Sequence, residues 1–277
     1  MACADRQRQA NRQSSGPCLV TAASKLAGMM PGLPEFSRVD DGSAAWSDAH
    51  ANFLSSLAPQ ELEDLLACAR PLGFDSRDQV FGAGDHSLDV YIVAEGCIRL
   101  FQVSSTGKET ILWYNFPGEI FGIAELWSGD PRQVYAVANE ATRVYSIRRQ
   151  DFIEFLGKHP EAAMKAIGIL SARVRSMGLV MAGLASENVE TRIARLLMRF
   201  AVILAAGRCA ADAAPVDICV NVRLRHQDIA NLIGASRQTV TTSLLKLRKQ
   251  GAVRMVNHHI HIAQPDHLIG LLQESAN

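Results

Sequence analysis

After Gly73 the apolar positions come in short β-branched and aromatic runs, "VYIVAEG", "CIRLFQV", "TILWYNF", "EIFGI", "VYAVAN" and "RVYSI". Glycines fall at 73, 84, 96, 107, 118 and 129, near every eleven residues. Short strands punctuated at this interval predict an antiparallel barrel or jelly roll. A barrel this small has a mouth and an interior able to hold one small ligand. Ahead of it, "SLAPQELEDLLACAR" (56–70) predicts a helix, with Pro59 in its first turn and Leu62, Leu65 and Leu66 on one side. Residues 1–45, rich in Gln, Ser, Ala, Gly and Pro, show no sustained period and read as a flexible extension.

Beyond "RRQDFIEFLGKHP" the spacing turns helical. Ile167, Leu170, Val174, Met177, Met181, Leu184 and Asn188 follow one another at steps of 3 and 4, which is a coiled-coil seam with a polar residue at its end. A stripe this narrow suits a dimer contact better than packing on a globular core. A second helix, "ETRIARLLMRFAVILAAG" (190–207), ends at a glycine and leads through the loop "RCAADAAPVD" to a short strand, "ICVNV". In 225–255, Ile229, Leu232 and Ile233, then Val240, Leu244 and Leu247, mark two helices joined by Gly234-Ala235-Ser236. The hairpin "VRMVNHHIHI" follows. Helix, turn, helix and β-wing in that order describe a winged helix-turn-helix. The predicted fold class is therefore α+β: a β-barrel domain at 46–160, a dimerisation helix at 161–188 and a winged helix-turn-helix at 189–277.

The formal net charge is zero over 277 residues, so composition as a whole points to no polyanionic partner. The distribution changes that picture. Residues 189–277 carry 11 Lys/Arg against 6 Asp/Glu, which suits a nucleic-acid-binding C-terminal half. No uninterrupted apolar run reaches the length of a membrane span, and "CLVTAASKLAGMM" (18–30) is too weakly apolar for a signal-peptide core. The six cysteines show no short pairing and are expected to be reduced thiols of a cytoplasmic protein. No nucleophile–base pairing, P-loop or zinc-protease helix indicates an enzyme. "HHIHI" raises the question of a metal at His258, His259 and His261, but on a wing phosphate contact is the commoner role.

The second helix of the pair exposes Arg237, Gln238, Thr241, Thr242, Lys246, Arg248 and Lys249 without one acid. In a helix-turn-helix this element lies in the major groove of double-stranded DNA, its N-terminal residues facing base edges. Ser236, Arg237, Gln238 and Thr241 occupy that end. Arginine can bond guanine O6 and N7 together, and glutamine adenine N6 and N7. Gln227 and the basic tail Lys246, Arg248 and Lys249 are placed for phosphates.

The order of barrel, long helix and winged helix-turn-helix resembles the CRP/FNR superfamily of bacterial transcription regulators over about residues 46–272. The most specific stretch is "HQDIANLIGASRQTVTTSLLKL". The resemblance implies a homodimer on a palindromic operator, contact with RNA polymerase, base reading by Arg237 and backbone contact by Gln227. Most relatives carry Glu where this chain has Gln238. The effector region, "FGIAEL" then "PRQVYA", keeps Phe121, Gly122 and Arg132 of the family's cyclic-nucleotide pattern. It has Ile123-Ala124 where a carboxylate is usual and Gln133 for a hydroxyl; Met177 and Gly178 stand where the cyclic AMP receptor has Thr-Ser. These losses argue against cyclic AMP. The region is similar to the cyanobacterial global nitrogen regulator, with Phe121-Gly122-Ile123, Arg132 and Leu170-Ser171-Ala172-Arg173, which implies a small acid such as 2-oxoglutarate held between Arg132 and Arg173. On that reading the barrel core uses neither arginine.

Overall fold

The computed structural model describes residues 48–204 and 217–274. The extension 1–45 and most of the loop 208–217 lie outside them. Two short helices, α1 (Phe53–Ser56) and α2 (Pro59–Ala67), precede eight strands. These are β1 (Arg70–Phe74), β2 (Gln79–Phe81), β3 (Val90–Glu95), β4 (Ile98–Val103), β5 (Glu109–Asn115), β6 (Ile120–Phe121), β7 (Tyr135–Ala138) and β8 (Thr142–Ile147). They form two antiparallel sheets in the orders β1-β8-β3-β6 and β2-β7-β4-β5, the jelly roll the punctuated pattern predicts. Five of the six spaced glycines adopt left-handed backbone, and at Gly96 the requirement is steric as well. A Cβ there would meet the backbone of Ala141 at 2.6 Å. The sequence reading omits β1 and β2, whose Pro71 and Gly73, and whose three-residue length, hide any alternation.

Helix α3 (Arg149–Lys158) closes the barrel and α4 (Pro160–Ser186) runs 27 residues along it. Its buried positions are Ala162, Ala166, Ile169, Ala172, Ser176 and Gly183, and all but Ile169 are small side chains that let the backbone lie close to its neighbours. On other sides Met164, Ile167, Val174, Met181 and Leu184 are 44–70% exposed. Leu170 of the predicted seam is half-buried against the barrel core. Asn188, the last residue of the predicted seam, lies beyond α4, which ends at Ser186, and its side chain accepts from the Thr191 N–H at 3.0 Å, capping the next helix. By length and composition α4 passes for a membrane span. Its division into a barrel-packed face and an exposed apolar one, with Lys165, Arg173 and Arg175 between, fits a packed helix better.

Helix α5 (Val189–Leu204) leads to β9 (Ile218–Val220), α6 (His226–Ile233), α7 (Arg237–Lys249), β10 (Val253–Val256), β11 (His259–Ile262) and α8 (Pro265–Glu274). Strands β10-β11-β9 make the wing, with Asn257 and His258 at positive φ in its two-residue turn. Cys68 and Cys97 are free thiols, and burial pushes the Cys97 thiol well up. Cys219 of β9 is disulfide-bonded, against the expectation of six reduced cysteines. Sequence spacing does not report which cysteines a fold brings within bonding distance.

The barrel and the C-terminal domain share one core. Tyr114 and Phe116 flank Phe200 of α5 edge-on at 5.9 and 6.1 Å, and the buried helix-turn-helix residues Ile229, Val240 and Leu247 belong to the same cluster. An ion pair crosses this junction. Arg99 of β4 donates to Asp228 at 3.4 Å and to Glu109 at 3.3 Å, while the second Asp228 oxygen accepts the Arg225 N–H at 2.9 Å and caps α6. Asp228→Ala removes the cap and the cross-junction partner together. It is expected to cost about 1.5–3 kcal/mol, readable by urea unfolding, whereas Glu109→Ala should cost much less.

Candidate nucleic-acid interface and anion seat

The turn between α6 and α7 is built by local rules. Gly234 takes φ 63° to end α6, and Ser236 ends the turn by accepting the Thr239 N–H at 3.0 Å. Arg192 of α5 donates to the Ile233 carbonyl at 2.8 Å, so a third helix fixes the turn. Ile229, Ile233, Val240, Leu244 and Leu247 are buried, which holds the opposite face of α7 outward. On that face Ser236, Arg237, Gln238, Thr242, Arg248 and Lys249 are exposed, as is Gln227 on α6. Thr241 is half-buried, its hydroxyl shared between the His226 ring at 2.9 Å and the Arg237 carbonyl at 2.8 Å. Thr242 bonds back to the Gln238 carbonyl at 3.1 Å. Lys246 pairs with Glu190 at 2.8 Å, so it must leave that carboxylate to reach a phosphate. On the wing, His261 is 1% exposed, and burial holds its imidazole below the usual histidine value. His259 is half-buried beside it, so of the three histidines His258, at the hairpin turn, is the one set outward.

The residues singled out in the barrel fall into separate places. Phe121 stacks with Tyr91 and Phe81 inside it, with ring centroids 5.3 and 6.2 Å apart. Ile123 is buried, whereas Ala124 and Gln133 are exposed. Arg132 is one of the largest fully buried side chains of the protein. Its guanidinium lies 4.4 Å over the Phe81 ring and donates to the carbonyls of Ser87 (2.9 Å), Gly122 (2.6 Å) and Asp89. Glu125 completes the set, with one oxygen 3.3 Å from Arg132 Nη1 and the other accepting the Gln133 N–H at 3.3 Å. The barrel interior therefore does depend on Arg132, contrary to the expectation that its core uses neither arginine. The sequence showed an arginine in an anion-binding pattern and not the four groups that close on it.

Arg173 belongs to another network. It donates to Asn115 at 3.1 Å and to the Ala49 carbonyl at 3.3 Å, pairs with Glu119 at 3.5 Å and lies over Trp113. Burial pushes its guanidinium down from the ordinary value, and Glu119 opposes the shift. His50 bonds the other Glu119 oxygen at 2.8 Å and stacks on Trp113. The two arginines share no partner among these contacts, each being held by its own set of groups. Met177 lines yet another place, an apolar groove of about 310 Å³ between β5, α4, α5 and α6. Glu125, Glu119 and His50 were not singled out from sequence; only Glu125 had a local signal, lying three residues after Gly122 in "FGIAEL".

A cyclic nucleotide-binding domain model matches residues 72–159, and a Crp-like helix-turn-helix domain model matches residues 191–271. The cyclic AMP receptor protein of Thermus thermophilus is 30% identical over 199 residues, which span 72% of this chain and 86% of the relative. The chain belongs to the CRP/FNR family of transcription regulators. A global nitrogen regulator from Synechocystis is 28% identical over 194 residues, covering 69% of this chain and 84% of that one. The structure of FixK2 from Bradyrhizobium japonicum matches with a TM-score of 0.63 at 22% identity, over 73% of this chain and 96% of that chain, and so speaks to the fold. This CRP/FNR member is thus a regulator with a DNA-binding helix-turn-helix and an effector-type barrel, and not an enzyme.

Proposed function

We propose that the protein is a homodimer that acts in the cytoplasm on palindromic operators, engages RNA polymerase there, and answers to a small anionic effector taken up by the barrel. The observation that carries the DNA reading is the N-terminal end of α7, where Arg237 and Gln238 stand exposed on a helix whose other face is fully packed. Arg237→Ala should cost about 1–3 kcal/mol on the operator and relax preference at one guanine. Lys249→Ala should weaken all sequences alike and lower the salt slope by about one. Selection of binding sites from random DNA, followed by titration at several salt concentrations, separates the two. A sequence logo left unchanged by Arg237→Ala would remove α7 from the groove.

For the effector, 2-oxoglutarate or a similar small acid is the reading, and cyclic AMP is disfavoured because Ile123 and Gln133 supply neither carboxylate nor hydroxyl. DNA affinity measured with and without 2-oxoglutarate tests it. A second reading, a regulator that binds DNA without any effector, is favoured by one observation: Arg132 is already paired with Glu125. In that case the acid leaves DNA affinity unchanged.

A further inference from the structure

We propose that Glu125 is a tethered competitor for Arg132, a side chain that fills the barrel's anion seat from within and sets how strongly a small anion must bind to take its place. The inference rests on reading the barrel as a sensor of a small acid. Glu125 spans the Arg132 guanidinium and the Gln133 N–H, two adjacent donors that together suit one oxyanion. Its contacts are the longest of the set, both 3.3 Å, against 2.6 and 2.9 Å from Arg132 to the Gly122 and Ser87 carbonyls. The carbonyls fix the guanidinium but bring no charge, so Glu125 supplies the neutralisation and is held least tightly. It also lies where the chain passes from core to surface: Ile123 and Leu126 are buried, whereas Ala124, Trp127 (62% exposed), Ser128 and Gly129 are exposed.

A tethered group acts at an effective concentration on the order of millimolar. A monoanion offers no more charge than Glu125 and loses that competition. A dianion brings further charge and acceptors, so the seat selects dicarboxylates or phosphate over monocarboxylates.

The test is calorimetry on the full chain with 2-oxoglutarate and inorganic phosphate as separate probes, comparing wild type, Glu125→Gln and the double variant Glu125→Gln/Arg132→Met. Glu125→Gln should bind at least one dianion about tenfold more tightly than wild type, the difference expected for release of one charged competitor. The double variant should lose that gain. Acetate should bind wild type negligibly, and the favoured probe should raise the melting temperature of Glu125→Gln more than that of wild type. Should Glu125→Gln fail to fold, Glu125→Asp, with its carboxylate drawn back one methylene, must show the same direction. Equal affinities in wild type and variant, or a gain that survives Arg132→Met, overturn the proposal. DNA affinity is read separately. Tighter anion binding by the variant beside DNA binding indifferent to acid in wild type keeps Glu125 as competitor and removes the effector. A wild type whose DNA affinity follows the acid, with no change in anion affinity on Glu125→Gln, does the reverse.

Discussion

Val174→Asp with Met181→Asp is expected to turn the protein into a monomer and to lower affinity for a full palindromic operator by about 100- to 10,000-fold. Both side chains are 70% exposed in the single chain, one heptad apart on α4, with Ile167 at 54% and Leu184 at 44% continuing the line. Apolar exposure of that kind along one helix suits the proposed contact with a second copy. Each aspartate placed in a closed seam would meet its own copy across a two-fold axis, a like-charge contact deprived of water. The barrel should stay folded, because α4 packs on it through Ala162, Ala166, Ile169 and Ala172 and not through these positions. Leu170 is a poorer choice, since it is half-buried against the barrel core and its loss mixes folding with assembly. Two lengths of DNA separate the effects. A single half-site should be bound nearly as before, while the gain from joining two half-sites disappears. Sedimentation that still finds a dimer would mean that α4 pairs through another face, or that dimerisation lies elsewhere.

What the sequence disclosed and what it hid divide by range along the chain. Periodicity and turn residues reported β3 to β8, the long α4 and both helices of the helix-turn-helix, because those signals arise within a few residues of one another. Gly234, Ser236 and the Ile229–Leu247 apolar set gave the α6–α7 turn nearly in full. Local signals missed the cap at Asn188, a residue in heptad phase, and failed at β1 and β2, too short or too broken to alternate. They failed more seriously where function depends on distant partners. Arg132 is closed by residues at 87, 89, 122 and 125, and Arg173 by residues at 49, 115 and 119. The family resemblance implies an anion-binding role for both arginines, but only the fold shows the carboxylate each already pairs with. The Arg99–Asp228 pair, 129 residues apart, has no sequence signature at all.

Arg132→Met should destabilise the barrel by about 3–5 kcal/mol, the loss expected when one partner of a buried ion pair is removed. The methionine keeps much of the stem's volume but none of its hydrogen bonds. Glu125, 9% exposed at its side chain, would then be a buried carboxylate with only the Gln133 N–H beside it. The Ser87, Gly122 and Asp89 carbonyls, which accept from three separate donor atoms of one guanidinium, would need water that the packed Phe81, Tyr91 and Phe121 rings leave little room to admit. Removing the other partner costs less, because in Glu125→Gln the guanidinium keeps its three carbonyls and its place over Phe81. The damage to Arg132→Met should also be partly reversible. Adding Glu125→Leu takes away the stranded charge, and the double variant should be more stable than Arg132→Met alone, a coupling that a double-mutant cycle measures directly. Urea unfolding of the four proteins, followed by barrel tryptophan fluorescence, gives all the terms. If Arg132→Met unfolds within about 1 kcal/mol of wild type, the buried pair is not structural, and the arginine is held ready for a ligand rather than for the fold.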